Sequence, residues 1–190
     1  MKMAEPTPSQ TVGPFFHLGL QQLNRNALAT PNVAGERITL QGRVLDGDGQ
    51  PVPDAQLETW QADAAGKYAH PEDPHSTSAD PRFNGFSRIP TDANGFFQLT
   101  TIKPGPVPAP DGTQQAPHIV VLVFSRGLLK PLITRIYFPN DPANDHDPVL
   151  NLVPAERRTT LIAKHASGAE HLFECNLVLQ GEKETVFFDC

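Results

Sequence analysis

The sequence predicts a mainly β protein, a two-sheet β-sandwich with an extended N-terminal arm and one short helix. Three observations point to it. Short runs of apolar and polar residues alternate with the period of a strand, turn residues separate these runs, and only one stretch has a helical pattern. Proline supports the reading: 20 of 190 residues, with 14 glycines, interrupt the chain too often for long helices. That is about twice the usual ~5% proline, and it excludes a helical bundle.

Residues 1–36 carry no clear period and are broken by Pro6, Pro8, Gly13, Pro14 and Pro31. They read as an arm with one helical turn around Leu20 to Leu28 and too little apolar periodicity to fold alone. The sandwich domain spans 37–190. Its first strand begins at Arg37, where Ile38, Leu40 and Val44 alternate with Thr39, Gln41 and Arg43, and it ends at the turn Asp46 to Gly49. Ala55 to Gln61 is the next strand, followed by a long polar loop over 69–85. After the turn Thr91 to Gly95 come strands at Phe96 to Ile102, His118 to Phe124 and Leu132 to Phe138. Pro154 to Lys164 reads as the helix, with Pro154 near its first turn. His171 to Leu179 places Phe173, Cys175, Leu177 and Leu179 on one strand face, and Thr185 to Phe188 closes the sheet.

Composition excludes several functions. A formal net charge of −6 without any Lys/Arg block argues against a nucleic-acid partner. A single well-placed arginine can still attract a small anion. The longest apolar run, Ile119 to Phe124, is far below the ~20 residues of a membrane span. The first ten residues lack the apolar core of a secretory signal, so a cytoplasmic protein is expected. Cys175 and Cys190 then read as idle thiols. Neither a dinucleotide fingerprint, a P-loop, a nucleophile elbow nor a CxxC pair is present. His70 and His75 read as solvated loop residues and His146 as a surface turn residue, His165 and His171 carry no motif, and Glu58 reads as a strand residue facing solvent or a partner.

Several strings in order point further: Thr7 to Pro14, Glu58 to Asp63 followed by Gly66-Lys67-Tyr68, Thr101 to Gly105, Leu161 to Lys164, and Gly181 to Phe188. On these segments, from the arm to the last residues, the chain resembles the intradiol ring-cleavage dioxygenases. The resemblance implies a non-haem ferric ion held by two tyrosines and two histidines, the histidines as His-x-His on a strand. That spacing turns both rings to one face. In this chain the matching positions are Tyr68, Val107, His118 and Val120. Two of the four donors are valines, so no catalytic iron is expected on this chain.

By the same resemblance, Fe(III) belongs to a homologous iron-binding beta subunit, within a larger alpha-beta assembly. The reaction implied is cleavage of protocatechuate by O2 to 3-carboxy-cis,cis-muconate. Thr11, Gly13 and Pro14 are carried over as substrate-proximal arm residues, Arg126 as the partner of the ring carboxylate, and Tyr68 as a pocket-lining residue. Arg135 in the following strand is a weaker candidate for the role of Arg126 and is left out of the site. Two alternatives stay open: a metal-free module that binds aromatic ligands, and a self-sufficient catechol-type dioxygenase drawing on Tyr68, His118, His70 and His75.

Overall fold

The computed structural model describes residues 7–109 and 111–189; Cys190, read above as an idle thiol, lies outside them. The alternation of apolar residues is realised directly in β1 (Arg37–Leu45), which buries Ile38, Leu40, Gly42 and Val44. The remaining strands are β2 (Gln56–Trp60), β3 (Phe86–Pro90), β4 (Phe96–Ile102), β5 (Val107–Pro108) and β6 (Gln114–Gln115). They continue as β7 (His118–Phe124), β8 (Leu132–Tyr137), β9 (Lys164–His165), β10 (Leu172–Glu174) and β11 (Leu177–Val178).

Two sheets form the sandwich. In the first, β4 runs antiparallel to β1 on one edge, while β10 and β11 follow each other in parallel along the other; β9 extends β10. The strand expected over His171 to Leu179 is thus two short strands. Their break falls where the Cys175 carbonyl crosses Gly42 so closely that a Cβ there would lie 1.8 Å from the oxygen. The second sheet is antiparallel throughout, in the order β3-β2-β7-β8. Its inner face contributes Leu57, Ile89, Ile119, Val121, Val123 and Ile136 to a core shared with Leu40, Val44, Phe97 and Leu99. Its outer face carries the even-numbered residues of β2, β3 and β7 and the odd-numbered ones of β8, and this is the face that matters for function.

The arm is woven into this body. Arg25 bridges to Arg88 on the free edge of β3, Ala27 bridges to Thr100 on β4, and Leu28 is fully buried. The segment thereby closes the flank where the two sheets part. Ahead of it, helix α1 (Pro14–Leu18) lies on the outer face, with Phe16 against Phe124 at 4.9 Å between ring centroids. Arg88, itself buried, secures it: its guanidinium pairs with Glu58, donates to the Phe16 carbonyl at 2.7 Å and stacks over the Phe16 ring.

Among the described residues the one α-helix is therefore in the arm, and the helix expected over Pro154 to Lys164 is corrected to turns with a single 3-10 turn at Arg158–Thr160. The reason is competition for backbone groups. The Tyr137 amide donates to the Leu161 carbonyl and the Ala163 amide to the Tyr137 carbonyl, so residues 161–163 serve as an extension of the sheet beside β8. The turn expected at Leu20 to Leu28 is a 3-10 turn at Gln21–Leu23. The segment 69–85 is a loop with one 3-10 turn, as expected, while β3 was not anticipated. Phe188 bridges to Ile133, which puts the closing segment on the free edge of β8. Among the described residues no helix is long and apolar enough to cross a membrane.

Candidate functional site

The expected site residues fall at two ends of β7. Seven residues at ~3.3 Å each separate these ends by roughly 20 Å, so they are two sites rather than one.

At the N-terminal end, the Glu58 to Asp63 segment builds the frame. Buried Gln61 donates to the Ile102 carbonyl at 3.0 Å and accepts from the Thr101 hydroxyl at 2.8 Å, tying β2 to the other sheet. Asp63, also buried, accepts the amides of Ala65, Lys67 and Asp80. Gly66 follows with φ +75°, and a Cβ there would strike the Pro106 carbonyl at 1.9 Å. The turn carrying Tyr68 is thus pressed onto the segment carrying Val107. The Tyr68 ring stacks on Trp60 at 5.6 Å and 9° between planes, and His70 meets the same indole edge-on at 6.1 Å. Trp60, Tyr68, His70, His75 and Val107 line a cavity of about 650 Å³.

Behind this cavity His118 and Val120 lie on the outer face of β7. His118 is buried, with Nδ1 hydrogen-bonded to the Ala116 carbonyl at 2.7 Å, which makes Nδ1 the protonated nitrogen. Tyr137 is its direct neighbour across the β7–β8 ladder, the two rings 5.8 Å apart. The Tyr137 hydroxyl donates to Asp147, whose carboxylate also accepts the amides of Ala116, Val149 and Leu150. Val120 faces Arg135 across the same ladder. Arg135 donates to the Gln115 side chain at 2.8 Å.

Electrostatics follow from burial and from that guanidinium. Burial, and then the Arg135 cation, pull His118 down to about 4, so the imidazole is neutral at pH 7. Burial raises the Tyr68 phenol, outweighing the opposing pull of Arg135, and raises Tyr137 as well. Cys175 is pushed up to about 12 by burial, an inert thiol.

At the C-terminal end of β7, Thr11 sits on the turn Ser125 to Gly127. Its hydroxyl accepts from the Gly127 amide at 2.8 Å and lies 3.5 Å from the Ser125 carbonyl. Gly13 and Pro14 follow at the start of α1. Gly13 has φ −90° and nothing within 4 Å of an added Cβ, so among the described residues no contact requires glycine there. Arg126 pairs with Asp54, yet its side chain is 78% exposed. Large apolar side chains nearby are also left to solvent, Phe15 at 82% and Leu129 at 62%. The structure thus ties Thr11 to the Arg126 turn, with Gly13 and Pro14 next along the arm, and leaves Tyr68 toward the other end of β7.

A family model described as "Dioxygenase" matches residues 12–181. Aligned over 203 positions that span the whole of both chains, the sequence is 43% identical to the "Protocatechuate 3,4-dioxygenase alpha chain" of Burkholderia cepacia. The chain belongs to the intradiol ring-cleavage dioxygenase family. A second relative, the "Protocatechuate 3,4-dioxygenase beta chain" of the same organism, is 36% identical over 93% of this chain and 77% of its own. Among solved structures, the dioxygenase domain of a dioxygenase carbohydrate-binding protein fusion from Streptomyces sp. SirexAA-E superposes with a TM-score of 0.65. It is 28% identical and covers 93% of this chain and 99% of that one.

Intradiol dioxygenases use non-haem iron, and the residues present here do not fit it. Val107 and Val120 have no lone pair to donate, and a permanent cation, Arg135, stands opposite Val120. Among the described residues, no three His, Cys, Asp or Glu side chains converge as a set that could hold a metal. His70 and His75 share the cavity with Tyr68, whereas His118 does not line it. The sequence marked Gln61 and Asp63 only as part of a family segment and Arg135 only as a weaker candidate, and it left Asp147 unread. The only signal for Arg135 was one charge inside the strand Leu132–Tyr137.

Proposed function

We propose that this chain is the iron-free alpha subunit of a protocatechuate 3,4-dioxygenase and completes the substrate pocket of a homologous, iron-bearing beta subunit. The observation that carries the reading is an end-to-end likeness to an alpha chain in a sequence that has valine at two of four ligand positions. The likeness to a beta chain supports a partner of the same fold. The assembled enzyme opens the ring between its two hydroxyl-bearing carbons and inserts both atoms of O2, giving 3-carboxy-cis,cis-muconate.

In this reading the chain's own residues orient substrate and exclude water. Arg126 offers the ring carboxylate two parallel N–H donors, a fit that lysine lacks. Thr11, fixed to the Arg126 turn, holds the arm so that Gly13 and Pro14 form a wall. Among the described residues nothing lies within 4 Å of a Cβ added at Gly13, which leaves room there for a close approach by a partner. Exposed Phe15 and Leu129 supply apolar area around the same turn for the partner to cover. Tyr68 lines the chain's own cavity, toward the other end of β7 from this wall.

Expression with and without the beta homologue tests the proposal. Purified alone, the chain is expected to hold no iron and to consume no O2 with protocatechuate; purified as a pair, one iron per pair and substrate-dependent O2 uptake are expected. A lone chain with stoichiometric ferric iron that turns over catechols would overturn the reading.

A further inference from the structure

We propose that Arg135 keeps the degenerate site closed to metal: its guanidinium supplies the positive charge at this position, so restoring the missing donors alone does not restore iron binding. The inference rests on the register that assigns Tyr68, Val107, His118 and Val120 to the ligand positions, and it goes beyond the pairing proposed above.

Three observations carry it. First, β8 runs antiparallel to β7 with Arg135 directly opposite Val120, and the outward parity of β8 puts Arg135 on the face that also carries His118 and Tyr137. Side chains directly opposite on one face approach to ~5 Å between Cβ atoms, so this cation is a direct cross-strand neighbour of the position where a second histidine would stand, with Trp60 on the other side of that position. Second, among the described residues no carboxylate lies within ion-pair distance of Arg135; the hydrogen bond to Gln115 is to a neutral acceptor. The neighbouring carboxylate, Asp147, is committed to the Tyr137 hydroxyl and three backbone amides. The guanidinium is therefore paired with no carboxylate by direct contact. Third, Arg135 is two residues from Tyr137 on β8, whose ring lies 5.8 Å from that of His118, so the cation shares its strand face with the histidine that remains.

Physically, a cation fixed among the donors repels an incoming metal ion in a partly buried setting where screening by water is weak. The loss of donors and the gain of charge then act in the same direction. Either valine could revert without creating a metal site, because the guanidinium would still repel the ion.

The test compares full-length variants titrated with ferric citrate, reading bound iron per chain and the visible absorption of a ferric–phenolate bond. Val107→Tyr with Val120→His is expected to bind iron weakly. Adding Arg135→Gln is expected to tighten binding roughly 10–100-fold, the range for residues that tune a metal site from outside its ligands. Adding Arg135→Lys instead is expected to leave binding as weak as in the double variant, since the charge remains. If Arg135→Gln loses a cooperative thermal transition, Arg135→Met replaces it as an uncharged chain of similar length. Tight binding by the double variant, or equal binding by the Lys and Gln triples, overturns the proposal. So does a failure of every variant to bind, which would also reject the register on which it rests.

Discussion

Thr11 and Gly127 are 116 positions apart, and the Gly127 amide donates to the Thr11 hydroxyl at 2.8 Å. That bond fixes the arm to the turn bearing Arg126. Thr11→Val keeps the shape and removes the acceptor. One neutral hydrogen bond of about 0.5–1.5 kcal/mol corresponds to roughly a two- to tenfold fall in kcat/KM for protocatechuate in the assembled enzyme. Steady-state kinetics that match the parent would mean the tether does not position the pocket wall.

Arg126 is the sharper test of the same wall. Its pair with Asp54 is largely exposed, so Arg126→Ala is expected to leave the urea midpoint of the chain nearly unchanged. Loss of a charge-assisted contact of about 1.5–3 kcal/mol should instead lower kcat/KM for protocatechuate roughly tenfold to a hundredfold. Catechol, which has no carboxylate, should be affected far less. An equal loss on both substrates would assign Arg126 to assembly instead of carboxylate recognition.

Arg88 links the arm to the sheet through Glu58 and the Phe16 carbonyl. Arg88→Met preserves much of its length but leaves Glu58 unpaired and α1 without its donor. A destabilisation of about 3 kcal/mol is expected from urea unfolding. Proteolysis should then cleave first between residues 7 and 24, ahead of the buried seam at Leu28. A variant as stable as the parent, with an equally resistant arm, would show that Phe16 packing alone holds α1.

Much of this architecture was legible because period-two alternation survives wherever one strand face is buried, as in β1, β4 and β7. β3 escaped because its buried faces include Arg88, a charge neutralised by Glu58, and because Pro90 ends it. The mistaken helix at 154–164 had adequate local pattern, but its backbone groups are taken by Tyr137. The candidate site divides in the same way. Val107 and Val120 are informative as residue types, since a side chain without a lone pair cannot hold a metal in any geometry. Arg135 is not, because only the pairing of β7 with β8 sets its charge opposite Val120.

His118 makes the buried site visible in the pH dependence of stability. Its folded value of about 4, set chiefly by burial and then by the Arg135 cation, lies below the ordinary 6.5. Between those values the unfolded chain binds a proton that the folded chain refuses. The contribution of the neutral buried ring is therefore complete above pH 6.5 and declines as pH falls toward 4, by as much as ~3 kcal/mol. His118→Gln removes this titration while keeping a polar group near the Ala116 carbonyl. Urea unfolding at pH 7.5, 6 and 5 should show a shallower acid-side decline in the variant than in the parent, whereas parallel declines would mean that His118 accepts its proton without unfolding the site.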